Sequence, residues 1–239
     1  ENNQDGSSYN YSWNCGVEGP SRKMNIRQMR ERQVRNAFLM MLLSQGVPMI
    51  YGGDEIGNSQ NGNNNAYCQD NSVGWIDWKG LKKKEARLEG VKNAIAFRKE
   101  HPILHIPGKL HGVDYQTRGL PDVSLHGERA WYLNSENTSR LLGILYCGAY
   151  AKRADGSADE SVYIACNFHW EDRVLALPNL VGNKKWKKVI DTSAMKENGF
   201  FHEDGKEYKK KLEIAPRTIV VLLAVEEEKK DHDASMEAL

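Results

Sequence analysis

Ser44-Gln45-Gly46-Val47-Pro48-Met49-Ile50-Tyr51-Gly52-Gly53-Asp54-Glu55 decides the architecture. Val47 to Tyr51 is a short apolar run bounded by glycines, the pattern of a buried strand, and Gly52-Gly53-Asp54-Glu55 is a tight turn leaving its end. Upstream, Ile26, Met29, Val34, Ala37, Phe38, Met41 and Leu42 recur at three- and four-residue steps. That is the period of an amphipathic helix from Ser21, its expected cap, to about Ser44, ended by Gly46. Downstream, residues 54 to 80 keep almost no apolar period and read as a long loop. A helix is predicted from Lys82 to His101, with Leu88, Val91, Ala94 and Ile95 inward and Pro102 as its stop. Helix, strand, loop, helix is α/β order, and a loop leaving the carboxyl end of a strand is where such folds place ligands.

Past residue 107 the grammar changes to short β-like runs: Leu141 to Tyr150, Ser161 to Trp170, Val174 to Leu177, Trp186 to Asp191, Tyr208 to Ile214 and Thr218 to Val225. Turn residues separate them at spacings suited to an antiparallel sandwich. The expected division is therefore an α/β part over residues 1–106, an all-β sandwich over 107–226, and a disordered, charge-mixed tail over 227–239. The first 21 residues, rich in Asn, Asp, Gly and Ser around Tyr9, Tyr11 and Trp13, form another long loop.

A chain of 239 residues allows one large domain or two modest ones. With 33 Lys and Arg against 32 Asp and Glu, the net charge of +1 offers no electrostatic case for nucleic acid or an anionic membrane. The longest apolar stretch, Ala37 to Leu43, is far short of a membrane helix, so a soluble, folded protein is expected. Cys15, Cys68, Cys147 and Cys166 are too few and scattered for a disulfide scaffold, which points to reduced thiols and a cytoplasmic setting. The chain opens at Glu1 in a polar run and reads as a piece of something longer.

The polar loops hold Asp54, Glu55, Asp70 and Asp77. Asp54 and Glu55 are neighbours, and neighbours in extended backbone face opposite ways, so they make a poor acid and nucleophile pair; one of them bracing the turn is the alternative. The run Gln60-Asn61-Gly62-Asn63-Asn64-Asn65-Ala66-Tyr67 is rich in carboxamides, which donate and accept as sugar hydroxyls require. Equally, each Asn can satisfy its own loop through an Asx turn. Trp13, Trp75, Trp78 and Tyr67 are candidates for stacking on sugar faces or for the core. His101, His105 and His111 straddle prolines and share no helical face, so no metal is expected. The sequence has no GxSxG, P-loop or dinucleotide fingerprint, and no cofactor is expected.

Several ordered motifs carry a resemblance. Glu1-Asn2-Asn3-Gln4-Asp5-Gly6, Asn10-Tyr11-Ser12-Trp13-Asn14-Cys15-Gly16, Ser44-Gln45-Gly46-Val47-Pro48-Met49, Gly53-Asp54-Glu55 and Gly62-Asn63-Asn64-Asn65-Ala66-Tyr67-Cys68-Gln69-Asp70-Asn71 resemble the isoamylase and glycogen-debranching branch of the α-amylase superfamily. Pro121-Asp122-Val123-Ser124-Leu125-His126-Gly127 and the β-rich end look like that family's C-terminal sandwich. The resemblance implies that residues 1–106 are the last part of a catalytic (β/α)8 TIM barrel, with residues 47–51 its eighth strand. It also implies a parent enzyme that hydrolyses α-1,6 links of glycogen or starch by the retaining two-carboxylate route. The family's catalytic motifs lie upstream of the matched segments, so no catalytic residue transfers and the chain alone is expected to be inactive. What transfers is position. Asp54, Glu55, Gln60, Asn63, Asn64 and Asn65 follow the last barrel strand, and Trp13 and Asn14 sit in another loop on the substrate face, as binding or bracing residues for branched α-glucan. The rival reading is a noncatalytic glucan-binding module, with a piece of an α-1,4-acting amylase or branching enzyme as a further alternative. A barrel strand without neighbours implies possible self-association.

Overall fold

The computed structural model describes residues 9, 11–136, 138–194, 200–201 and 206–227. The opening motif over 1–6 and most of the expected tail, residues 228–239, lie outside these.

Two helices come first, α1 (Met24–Leu42) and α2 (Glu85–Glu100), followed by eight strands: β1 (Val123–His126), β2 (Leu141–Tyr146), β3 (Val162–Asn167), β4 (Arg173–Ala176), β5 (Lys184–Asp191), β6 (Glu207–Tyr208), β7 (Lys211–Ile214) and β8 (Thr218–Glu226). Six form one antiparallel sheet in the order β1-β2-β3-β8-β5-β6, and β4 pairs with β7 in a second, two-stranded sheet. Strands β3 and β8 are central, and their unbroken apolar runs are buried on both faces, one residue pointing each way in turn. Val162, Ile164, Cys166, Ile219 and Val221 face the helices, where they meet Leu39, Leu42, Leu43, Ala94, Phe97, Ile103 and Leu104. Tyr163, Ala165, Val220, Leu222 and Ala224 face the small sheet, where they meet Leu175, Leu212, Ile214 and Trp186. The result is three layers: helices, large sheet, small sheet.

Polar groups fasten the helical layer to the rest. Arg35 of α1 donates through Nε (3.1 Å) and Nη2 (2.8 Å) to the Thr192 carbonyl. The neighbouring Asn36 accepts from the Thr192 hydroxyl at 2.6 Å and donates to the Arg217 carbonyl at 2.9 Å. Arg98 of α2 donates to the carbonyls of Leu42, Ser44 and Gly46, where α1 ends, and to that of Leu104. Glu31 of α1 receives Arg87 and Lys84 from the α2 side.

The β-runs form where the alternation predicts, with two differences. Tyr208 to Ile214 divides at Lys209-Lys210 into β6 and β7, which belong to different sheets. Strand β1 was not expected; it is an edge strand of four residues with one ladder partner, too short to set a period. The α-helical predictions are each two to three residues too long at their starts. Ser21 accepts from the Lys23 amide and so belongs to a turn before α1, whose cap position is Lys23. Ala37, placed on the inner stripe, is exposed; the buried face is Arg35, Asn36, Phe38, Leu39 and Leu42. The inner face carries polar residues because it docks on carbonyls as well as on side chains, which a purely apolar period does not register.

The strand expected over 47–51 is not formed, and the described residues contain no parallel ladder and no (β/α)8 arrangement. Among the described residues no strand pairs with this segment, and a strand is stable only when its amides and carbonyls are paired on a ladder. Val47 and Met49 are 97% and 86% exposed on one side of it.

Candidate functional site

The loop after residue 51 builds itself from carboxamide turns. Asn63 Oδ1 accepts from the Asn65 amide (2.8 Å), Asn65 Oδ1 from Tyr67 (3.1 Å) and Asn71 Oδ1 from Val73 (2.9 Å). These are Asx turns, so the self-satisfying alternative holds for the acceptor oxygens of Asn63 and Asn65. Asn64 is exposed. The Gln69 carboxamide donates to the Asn65 carbonyl (2.9 Å), and the Trp75 indole N–H donates to Asp70 Oδ1 (2.8 Å).

This scaffold shapes an open groove of about 600 Å³ lined by Tyr51, Gln60, Ala66, Tyr67, Cys68, Gln69, Asp70 and Gly74. Two exposed tyrosines, two carboxamides and a carboxylate share it, a donor and acceptor set with apolar faces that suits a polyhydroxyl ligand. Of the expected binding residues, only Gln60 lines it. Asn63, Asn64 and Asn65 build the adjoining loop. Glu55 turns back to accept from the Gly53 amide at 2.9 Å, the bracing role weighed for it. Asp54 opens a short 3-10 turn, where burial first and the Glu55 charge second raise its pKa, against the pull of Arg87. Tyr51 was missed because it was assigned to a buried strand; its place beside Gly52-Gly53 was the usable signal.

Trp13 and Asn14 lie elsewhere. Asn14 makes an Asx turn to Gly16 (2.9 Å) and donates to Glu18 (3.2 Å), while Arg30 holds this loop through the carbonyls of Asn14, Val17 and Gly19. Trp13 lies under the Arg217 guanidinium, 4.4 Å from its ring centre.

His101, Asp159 and Glu160 form the one cluster of potential metal donors among the described residues. Arg153 already occupies it, bonded to Glu160 and 3.4 Å from Asp159. Asp159 also accepts from His101 (2.8 Å) and from the Ile103 amide (3.0 Å). A guanidinium at the centre repels a cation, and the group pins the turn after α2 to the strand region. All four cysteines are free thiols. No described helix is long and apolar enough to cross a membrane.

Residues 147–225 match the C-terminal all-β domain of alpha amylase, which is the sandwich expected from the β-rich end. The resemblance to the isoamylase and glycogen-debranching branch also holds. The chain is 34% identical over 202 residues to the glycogen operon protein GlgX homolog of Mycobacterium tuberculosis, covering 81% of this chain and 28% of the relative. It is 35% identical over 196 residues to the chloroplastic isoamylase 1 of Arabidopsis thaliana, covering 81% and 23%. The crystal structure of Bacillus subtilis pullulanase type I with maltose has the same fold over 81% of this chain and 23% of that one, with a TM-score of 0.58 at 19% identity. The chain thus spans roughly a quarter of the length of the curated relatives it matches.

Proposed function

We propose that this chain is the C-terminal part of a glycoside hydrolase that, when whole, cleaves α-1,6 branch links of glycogen or starch. In that parent, residues 1–106 are the end of the (β/α)8 barrel and 107–226 the appended sandwich. The observation that carries the reading is the likeness to isoamylase and the GlgX homolog across four-fifths of the chain. Its support within the structure is the groove of Tyr51, Gln60, Tyr67, Gln69 and Asp70, which offers stacking faces and hydrogen-bonding groups to a glucan without an acid and nucleophile pair. Retaining hydrolysis needs two carboxyl groups about 5–5.5 Å apart. Here Glu55 is committed to its own turn and Asp70 to Trp75. The chain's part is therefore to bind and orient glucan, with bond cleavage supplied by carboxylates of the parent. Free thiols at Cys15, Cys68, Cys147 and Cys166 support a reducing compartment such as the cytoplasm.

The purified 239-residue chain is expected to release no reducing sugar from glycogen yet to be retarded in glycogen-containing gels, with retardation lost in Tyr67→Ala. Robust hydrolysis would overturn the assignment of the catalytic acids to the parent. Unretarded migration would remove the groove as a glucan site.

The segment 47–51 supports the same reading, because its backbone has no ladder partner among the described residues and its exposed Val47 and Met49 suit burial beneath neighbouring strands. Supplied alone, the chain is expected to self-associate as its concentration rises. Light scattering should show this, and Val47→Lys with Met49→Lys should suppress it; an unsubstituted 239-residue chain that stays strictly monomeric would count against the barrel-strand assignment.

A further inference from the structure

At one end of the large sheet, Arg140 stands immediately before β2, Phe168 immediately after β3, and Arg217 immediately before β8. The register pairs Leu141 with Asn167 and Asn167 with Thr218, so these three residues lie side by side across adjacent strands. The two arginine backbones are then roughly 10 Å apart, two strand spacings, with Phe168 between them. Both arginines hold left-handed backbone, φ 49° and 51°, a region that costs an ordinary side chain and favours glycine. Their main chains are locked there, the Phe168 amide donating to the Arg140 carbonyl (2.8 Å) and the Arg217 amide to the His169 carbonyl (2.9 Å).

The guanidiniums have aromatic neighbours rather than acidic ones. Arg217 lies over Trp13 at 4.4 Å and Arg140 over Trp170 at 4.8 Å, and both tryptophans are about half exposed. Among the described residues, no carboxylate pairs with either guanidinium; Glu171 is engaged with Arg173 and His169. Trp13, Gln33, Arg140, Phe168 and Arg217 together line a hollow of about 290 Å³. Two forked cations without counter-charge, held in place by stacking, match the oxygens of a phosphoryl group better than neutral hydroxyls. The exposed tryptophan edges and the Gln33 carboxamide suit a sugar carrying that group.

We propose that this hollow binds a phosphomonoester on a sugar, either a free hexose phosphate or a phosphorylated glucose unit of a glucan. The site is separate from the Tyr51 and Tyr67 groove and does not rest on that groove's role. Calorimetric titration of the whole chain at fixed ionic strength is expected to show saturable binding of glucose 6-phosphate and none of glucose. Arg140→Gln and Arg217→Gln should each weaken it by roughly tenfold or more, the worth of a charge-assisted hydrogen bond. Arg140→Gly and Arg217→Gly remove the guanidinium while suiting the left-handed backbone, so they should lose binding with Tm unchanged or higher. Migration in gels of phosphorylated glucan, before and after phosphatase, separates the sources. Retardation that phosphatase reduces places the ester on the polymer; retardation that it leaves unchanged, with glucose 6-phosphate still bound, places it on the free sugar. Equal binding of glucose and glucose 6-phosphate, a lack of response to phosphate in both assays, or loss of binding matched by a falling Tm in all four variants would overturn the proposal.

Discussion

Lowering the pH from 7 to about 4.5 is expected to strip on the order of 3 kcal/mol from the folding stability of this chain, mainly through one imidazole. His126 closes strand β1 and is fully buried, where Nδ1 accepts from the Trp131 amide at 2.9 Å and Nε2 meets the Ser124 hydroxyl at 2.8 Å. Accepting at Nδ1 requires the neutral ring with its proton on Nε2, directed at Ser124. Burial penalises the charged form and pulls the pKa down to about 4 from 6.5. The sign follows: between these values the unfolded chain carries the proton and the folded chain does not, so stability is full above about 6.5, falls as the pH drops, and levels off near 4. Denaturant midpoints across this range should show the slope, and His126→Gln should flatten it while lowering stability at neutral pH. An equal slope in the variant would transfer the effect to other groups.

Arg98→Ala is expected to destabilise the fold by roughly 4 kcal/mol, since buried carbonyls that lose a charged donor each cost about 1–3 kcal/mol. The guanidinium serves Leu42 (2.7 Å), Ser44 (2.7 Å), Leu104 (3.0 Å) and Gly46 (2.6 Å), so one side chain of α2 satisfies carbonyls at the end of α1 and in the turn that follows α2. No helix-capping side chain does this work locally. Arg98→Lys keeps the charge but not the fork, and should recover less than half of the loss. Urea unfolding of both variants checks this; a change below 1 kcal/mol for the alanine variant would mean that water replaces the guanidinium at those carbonyls.

The sandwich was the most legible part of the sequence. Strands β3 and β8 are unbroken runs of β-branched and apolar residues, and their two-faced burial follows from that pattern alone. The helices were legible in position and, for α2, in facing, since Val91 and Ala94 are buried as expected; on α1 Phe38 and Leu42 face inward but the polar residues beside them were not foreseen. Arg35, Asn36 and Arg98 are charged or polar groups that reach carbonyls 52 or more residues away, as with Gly46 for Arg98, and no local period encodes such pairs. Segment 47–51 reads as a strand because its composition suits one, but a ladder requires partners that the described residues do not bring to it. The groove was half legible. Its carboxamides were legible as groups a polar ligand would need, but the spacing could not say that Asn63 and Asn65 would fold back on their own loop while Gln60, Gln69 and Tyr51 line the groove.

The seam where Arg35 and Asn36 grip the Thr192 and Arg217 carbonyls has a consequence for anyone recombining this chain with its relatives. A chimera that swaps the β-module at a convenient loop would orphan two buried polar side chains and bare the oily underside of the sheet. The unit that can be transplanted intact begins before Met24, so module exchange among relatives should succeed only when both helices travel with it.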